Sequence, residues 1–145
     1  MKTLVRNILA VIVGLALGAS VNMLLIGLGP YLIPPPAGID VTDTESIAAS
    51  IHLYGPEHFV IPFLAHALGT FVGALVAFLI AASYRSMFAY AIGAIFLAGG
   101  ISVTLMIPAP MWFTVLDLVV AYFPMAWFGI YLARDLRGEN TSEPL

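Results

Sequence analysis

Three polar side chains interrupt otherwise apolar stretches of this chain: Asn22, His66 and Asp117. A histidine beside a carboxylate is the pairing found in acid–base sites, and it is equally common in structural contacts. Ionisable groups inside apolar segments are costly and usually face a partner or a water-filled cavity. We therefore expect Asn22, His66 and Asp117 to meet in one interior, with Thr104 at a similar depth.

Three interpretations of this cluster remain open. It is a structural hydrogen-bond network that holds helices in register, or a pocket for a lipid, a quinone or another small apolar ligand, or a site of catalysis or proton transfer in which Asp117 orients His66. The chain has no Gly-x-Ser-x-Gly elbow, no phosphate-binding glycine loop and no His-Glu-x-x-His pairing. We therefore assign no catalytic residue.

A metal site is a weaker candidate, carried by His52, Glu57 and His58. Histidine with carboxylates suits zinc, copper or iron. Glu57 and His58 immediately before an apolar helix are also ordinary capping residues, and such side chains at an interface are mostly solvated. We assign no metal to them, and any cofactor stays unknown. The chain has no cysteine, which excludes disulfides and thiolate ligands.

The composition requires a membrane. Of 145 residues, 61% are hydrophobic and only 9% are charged, whereas a soluble domain carries about 25% charged residues. Lipid must therefore cover most of the surface. Nucleic-acid binding needs a basic stripe, and the five basic residues are too scattered to form one.

Four long apolar stretches predict an all-α, single-domain bundle of four transmembrane helices. Each reaches the ~20 residues that cross the hydrocarbon core, and only helices satisfy the backbone there. The first stretch begins like a secretory signal, but its apolar run continues to Leu28, so we expect a retained span. The spans cover about 4–28, 59–83, 87–107 and 111–133, with an outer loop at 29–58 and a cytoplasmic tail at 134–145.

The charges predict the orientation. Cytoplasmic loops collect Lys and Arg, so both termini are expected inside. The basic residues are Lys2, Arg6, Arg85, Arg134 and Arg137. The loops on the other side carry acids alone: Asp40, Asp43, Glu45 and Glu57.

Local motifs predict finer features. Gly29 to Gly38 contains three consecutive prolines, which favour extended chain. Thr42 and Glu45 have capping-box spacing and predict a short amphipathic helix on the outer face. Pro124 should interrupt the fourth span.

Small residues recur at every fourth position of the first three spans, which lets helices pack closely or leaves a row for another subunit. The rows are Ala10, Gly14 and Gly18; Ala65, Gly69, Gly73 and Ala77; and Ala94, Ala98 and Ser102. Gly99 and Gly100 are added as packing candidates.

Several segments resemble a group of small, uncharacterised four-span membrane proteins of bacteria. The resemblance covers the first three spans and the long loop and fades in the fourth span. The segments are Val21-Asn22-Met23-Leu24-Leu25-Ile26, residues 34–40 with Glu45-Ser46, Ala65-His66 through Gly69 to Phe71-Val72-Gly73, and Leu97-Ala98-Gly99-Gly100-Ile101. This resemblance implies a bacterial inner membrane and the topology above, and it implies no activity.

The expected function is non-enzymatic. A short chain with small-residue rows and no catalytic signature is typical of an accessory or assembly subunit of a membrane complex, or of a homo-oligomer, that binds a lipid or quinone from the outer side. A small transporter or channel is the first alternative, and it would need a polar path to the inner face. An intramembrane enzyme that uses His66 and Asp117 is the second.

Overall fold

The computed structural model describes residues 1–139, and all the regular secondary structure in this part of the chain is helical, without strands. Four helical segments are long and apolar enough to cross a membrane, as predicted. The α-helices are α1 (Lys2–Leu32), α2 (Thr44–Ser50), α3 (Val60–Ile80), α4 (Arg85–Met106), α5 (Met111–Val120) and α6 (Phe123–Leu136). Two short 3₁₀ helices, Ile51–Leu53 and Pro56–Phe59, join α2 to α3. The last part of the expected tail, 140–145, lies outside the described residues.

Helix α1 is longer than its uncharged stretch predicted. It continues through Pro30 to Leu32, and the Ile33 N–H closes its last turn on the Gly29 carbonyl at 2.8 Å. A proline normally pushes the residue before it out of the helical region through a clash with Cβ, but Gly29 has no Cβ. The extended chain expected from Gly29 therefore begins only at Ile33.

The fourth span is two helices rather than one. The Ala121 N–H donates to the Asp117 carbonyl at 2.9 Å to end α5, and Pro124 lies in the first turn of α6. Since proline supplies no N–H, the first turn is where a helix tolerates it. The interruption expected at Pro124 thus occurs, and it turns Tyr122 into the interior, where it is 1% exposed.

A short helix forms in the long loop, but its cap is not the predicted one. The side chain of Asp43, not Thr42, accepts from the N–H groups of Glu45 and Ser46, at 3.1 and 3.2 Å. Thr42 instead donates its hydroxyl and N–H to Asp40, which lowers the pKa of that carboxyl. Ser, Thr and Asp are all good caps, so spacing alone did not select among neighbours.

Helices α1 and α3 touch backbone to backbone. A Cβ added to Gly18 would lie 2.6 Å from the Gly69 carbonyl oxygen, and one added to Gly14 would lie 2.8 Å from that of Gly73. Contacts this close are impossible for any residue with a side chain, so the four glycines set the spacing of the two helices. Lipid-embedded helices associate through such packing.

On α4 the buried face differs from the predicted row. Ala94, Ala98 and Ser102 are exposed, and the buried residues are Ala89, Ile92, Gly93 and Gly100. Either face of a uniformly apolar helix is compatible with lipid. A row of small residues therefore does not identify the face that packs against the other helices. Gly100 lies against the ring of Tyr122, whereas a Cβ at Gly99 would meet nothing within 4 Å.

The end of the bundle that carries the basic residues is held by side-chain bonds to the end of α3. Arg6 donates to the Ile80 carbonyl at 3.0 Å. The Asn7 side chain accepts from the Ala82 N–H at 2.9 Å and donates to the Ser83 hydroxyl at 3.0 Å. Arg85 pairs with Glu139 at 2.6 Å. The last carbonyls of a helix have no donor within the helix. Arg6 supplies one to Ile80, and Asn7 accepts from the Ala82 N–H just beyond α3.

We predict that Gly18→Ala destabilises the protein by about 1–3 kcal/mol, because its Cβ overpacks the contact with Gly69. Gly27→Ala on the same helix is the control, since its Cβ would meet nothing within 4 Å. It should stabilise by about 0.5–1 kcal/mol through helix propensity. Unfolding by SDS in detergent micelles measures both. Equal effects at the two positions would refute the close contact.

Asn7→Ala should cost about 1–3 kcal/mol, because the Ala82 N–H loses its acceptor. Ser20→Ala is the matched change on α1, since the Ser20 hydroxyl bonds only the Ala16 carbonyl of its own helix. It should stay within about 0.5 kcal/mol of the wild type. The same SDS titration reports both, and an Asn7→Ala protein as stable as Ser20→Ala would show that the bond is not needed.

Candidate functional cavity

A cavity of about 530 Å³ lies at the end of the bundle opposite the basic residues. Its walls come from α1, α3, α4 and α5 and from the long loop, so every span contributes. Most of the lining side chains are apolar, and none is Lys or Arg. The four polar residues expected to cluster all lie on its wall: Asn22, His66, Thr104 and Asp117.

The centre of the site is a pair between α3 and α5. His66 Nδ1 lies 2.9 and 3.0 Å from the two carboxylate oxygens of Asp117. The Tyr122 hydroxyl donates to Asp117 Oδ2 at 3.0 Å, and its ring stacks on the imidazole at 5.9 Å between centroids. Both partners are largely buried, with side chains 15% and 5% exposed. A carboxylate at this depth is tolerated because both of its oxygens are hydrogen-bonded.

Asn22 and Thr104 share the cavity without joining the pair. Thr104 donates its hydroxyl to the Gly100 carbonyl of its own helix at 3.0 Å, and Asn22 has no hydrogen bond to His66 or Asp117 among the described residues. The expected three-residue cluster is therefore a His66–Asp117 pair with Asn22 elsewhere on the wall.

The observed helix ends also change the expected depth of the polar groups. Asn22 is ten residues before Leu32, and His66 is ten residues after Pro56. At ~1.5 Å per residue both are roughly 15 Å from the helix ends. Both residues are therefore farther from their helix ends than the apolar stretches predicted, because the helices extend beyond those stretches.

Tyr122 is the member of the site that the sequence pattern did not predict. Tyrosines near the ends of spans usually form interfacial belts, and Tyr122 was hidden inside a long apolar run. The feature of the sequence that could have indicated Tyr122 is its position two residues before Pro124. The helix is interrupted there, so the direction of the Tyr122 ring no longer follows the helical periodicity. The Tyr122 ring packs against Gly100 on α4, where any side chain would collide with it.

The long loop is tied to the mouth of the cavity by His58. Its Nδ1 accepts from the Gly55 N–H at 3.1 Å, and its Nε2 donates to the Pro34 carbonyl at 3.1 Å. Val41, Ile47 and Ile51 then line the cavity from the loop side. Burial raises the pKa of the neighbouring Tyr54, whose ring meets His58 edge-on at 5.2 Å.

The weak metal candidates do not converge. His52 is exposed, and both ring nitrogens of His58 bond to backbone groups. Glu57 approaches His58 at 3.5 Å. Over residues 1–139 no three His, Cys, Asp or Glu side chains are grouped closely enough to hold an ion.

These features define a class: a multi-pass helical membrane protein with an apolar cavity that has a polar base. No protein-family model, no curated protein and no solved structure matches the chain. Function must therefore be argued from the cavity itself.

We predict that Tyr122→Phe costs about 1.5–3 kcal/mol of stability, because a buried carboxylate loses a donor while the ring remains in place. Tyr90→Phe is the control. Tyr90 packs on Phe123 at 6.4 Å, and its hydroxyl has no hydrogen bond within the described chain, so its loss should stay within about 0.5 kcal/mol. SDS unfolding compares the two, and equal losses would mean that Asp117 does not depend on Tyr122.

Proposed function

We propose that this is a non-enzymatic membrane protein that binds an apolar small molecule, a lipid or a quinone, in the cavity at its outer end. The observation that carries the proposal is the cavity itself. At about 530 Å³ it falls within the range of about 300–1,000 Å³ usual for small-molecule sites, which are mostly apolar with a few placed polar groups.

The proposed location is the bacterial inner membrane, with both termini in the cytoplasm. The asymmetry of Lys and Arg supports this orientation, because the contacts of Arg6 and Arg85 gather them at the end away from the cavity. The resemblance to small four-span proteins of bacteria points to the same membrane. The ligand would then enter from the outer side.

We further propose that the protein acts as an accessory or assembly subunit, as a homo-oligomer or within a larger complex. The exposed α4 row of Ala94, Ala98 and Ser102 supports this, since small residues that do not serve the bundle leave room for a neighbouring helix. A transporter is less well supported. Its path would have to pass the α1–α3 glycine contacts and the Asn7 bonds at the inner end.

An intramembrane enzyme is the second candidate, and a specific observation favours it. His66 is oriented by Asp117, which is an arrangement found in acid–base catalysis. An enzyme would convert the bound molecule, whereas a binding protein returns it unchanged.

The test is recovery of a bound molecule from the full-length protein purified in mild detergent. Organic extraction and mass spectrometry should find one class of apolar molecule at about one per chain. Thr104→Phe fills the cavity and should deplete it more than tenfold. The same samples, run on native gels, show whether a stoichiometric partner or a second copy accompanies the chain.

Ser102→Phe is the matched control for the cavity. It lies on the same helix, its hydroxyl bonds its own helix as that of Thr104 does, and it is exposed. It should retain the ligand. An empty wild-type protein, or equal depletion in both variants, would overturn the proposal.

A further inference from the structure

We propose that the ligand of the cavity is a neutral quinone ring, with one carbonyl oxygen accepting a hydrogen bond from His66 Nε2. This inference rests on the proposed function and specifies it. Nδ1 is the nitrogen that faces Asp117, so Nε2 is the atom of the pair that a ligand can reach.

Nε2 is unpartnered and accessible. Within residues 1–139, the only hydrogen bonds of the His66 ring run from Nδ1. Among the described residues no side-chain nitrogen or oxygen is both sealed from solvent and without a partner. Since His66 lines the cavity, its free nitrogen opens into that space.

An electrically neutral His66–Asp117 pair would make Nε2 a donor. A net charge at this depth is costly, and no Lys or Arg lines the cavity to offset one. A neutral His66–Asp117 pair carries two protons. The carboxyl has no acceptor other than Nδ1, because Tyr122 donates to it. Whichever atom holds the shared proton, the second proton is on Nε2. The matching ligand group is therefore an uncharged acceptor, such as a carbonyl.

The polarity of the cavity opposes a phospholipid. A lipid anchored at the interface would place its phosphate against the loop side chains, where Thr44 and Tyr54 are outnumbered by apolar residues and no Lys or Arg is present to pair with the phosphate. The apolar residues there are Pro35, Val41, Ile47 and Ile51. Its tails would meet His66 and Asp117. A quinone has the opposite arrangement, because its polar atoms are on the ring. The ring can face His66 and Asp117 while the apolar substituent lies against the loop.

Aromatic side chains suit a flat ring in the same space. Phe113 and Phe59 line the cavity and pack together at 4.8 Å between centroids. Planar rings stack favourably on such faces. A saturated chain cannot stack in this way, so these two side chains favour a ligand with a planar ring next to His66.

The experiment uses the full-length protein in delipidated detergent micelles, with a decyl-substituted benzoquinone as the probe and quenching of tryptophan fluorescence as the readout. Decylbenzene, which has the ring and chain without carbonyl oxygens, is tested as a competitor. The quinone should bind about tenfold more tightly than decylbenzene, the value of one good hydrogen bond. Dioleoylphosphatidylglycerol should compete poorly.

His66→Phe should weaken the quinone about tenfold and leave decylbenzene unchanged, whereas a merely structural His66 would affect both alike. His52→Phe, on the exposed loop, is the matched control and should change neither. If His66→Phe does not fold, the ligand comparison on the wild type still decides. Equal binding of quinone and decylbenzene, or displacement by phospholipid instead, overturns this inference and leaves the proposed function standing. No binding of any of the three overturns both.

Discussion

The bond between His66 and Asp117 is the interaction on which the cavity end of this protein depends. A carboxylate inside a bilayer must be fully hydrogen-bonded, and Asp117 meets that condition only if α3, α5 and Tyr122 are all in place. The break after α5 is what delivers Tyr122. The absence of a side chain at Gly100 leaves room for the Tyr122 ring. The bonds of one buried acid therefore require α3, α4 and α5 to be placed together.

The end that carries the basic residues is organised by a different principle. Glycines of α1 and α3 bring two backbones into contact, and Asn7 completes the end of α3. Gly129 on α6 repeats the device against α3, where its Cβ would lie 2.9 Å from the Phe71 carbonyl oxygen. Tight packing at one end and polar pairing at the other leave the unfilled volume between them and the loop.

That volume gives the molecule its chemical asymmetry. Its base is polar and lies among the helices, while the wall nearer the loop is mostly apolar and has no Lys or Arg, the reverse of a bilayer leaflet. His58 maintains this arrangement, because both of its ring nitrogens hold the loop against the start of α3. The loop is thus part of the site and not only a connection.

The sequence by itself determined the four spans, the helical class, the break at Pro124 and the residues Asn22, His66, Thr104 and Asp117 on one cavity, because charge and apolar length are local properties that the bilayer enforces. Only the tertiary structure decided which of these residues touch, which face of α4 is buried, which residue caps α2, and that Tyr122 completes the pair. In lipid an apolar face can point inward or outward at little cost, so periodicity carries no direction. The choice is made by the shapes of neighbouring helices, and those appear only when the chain is folded.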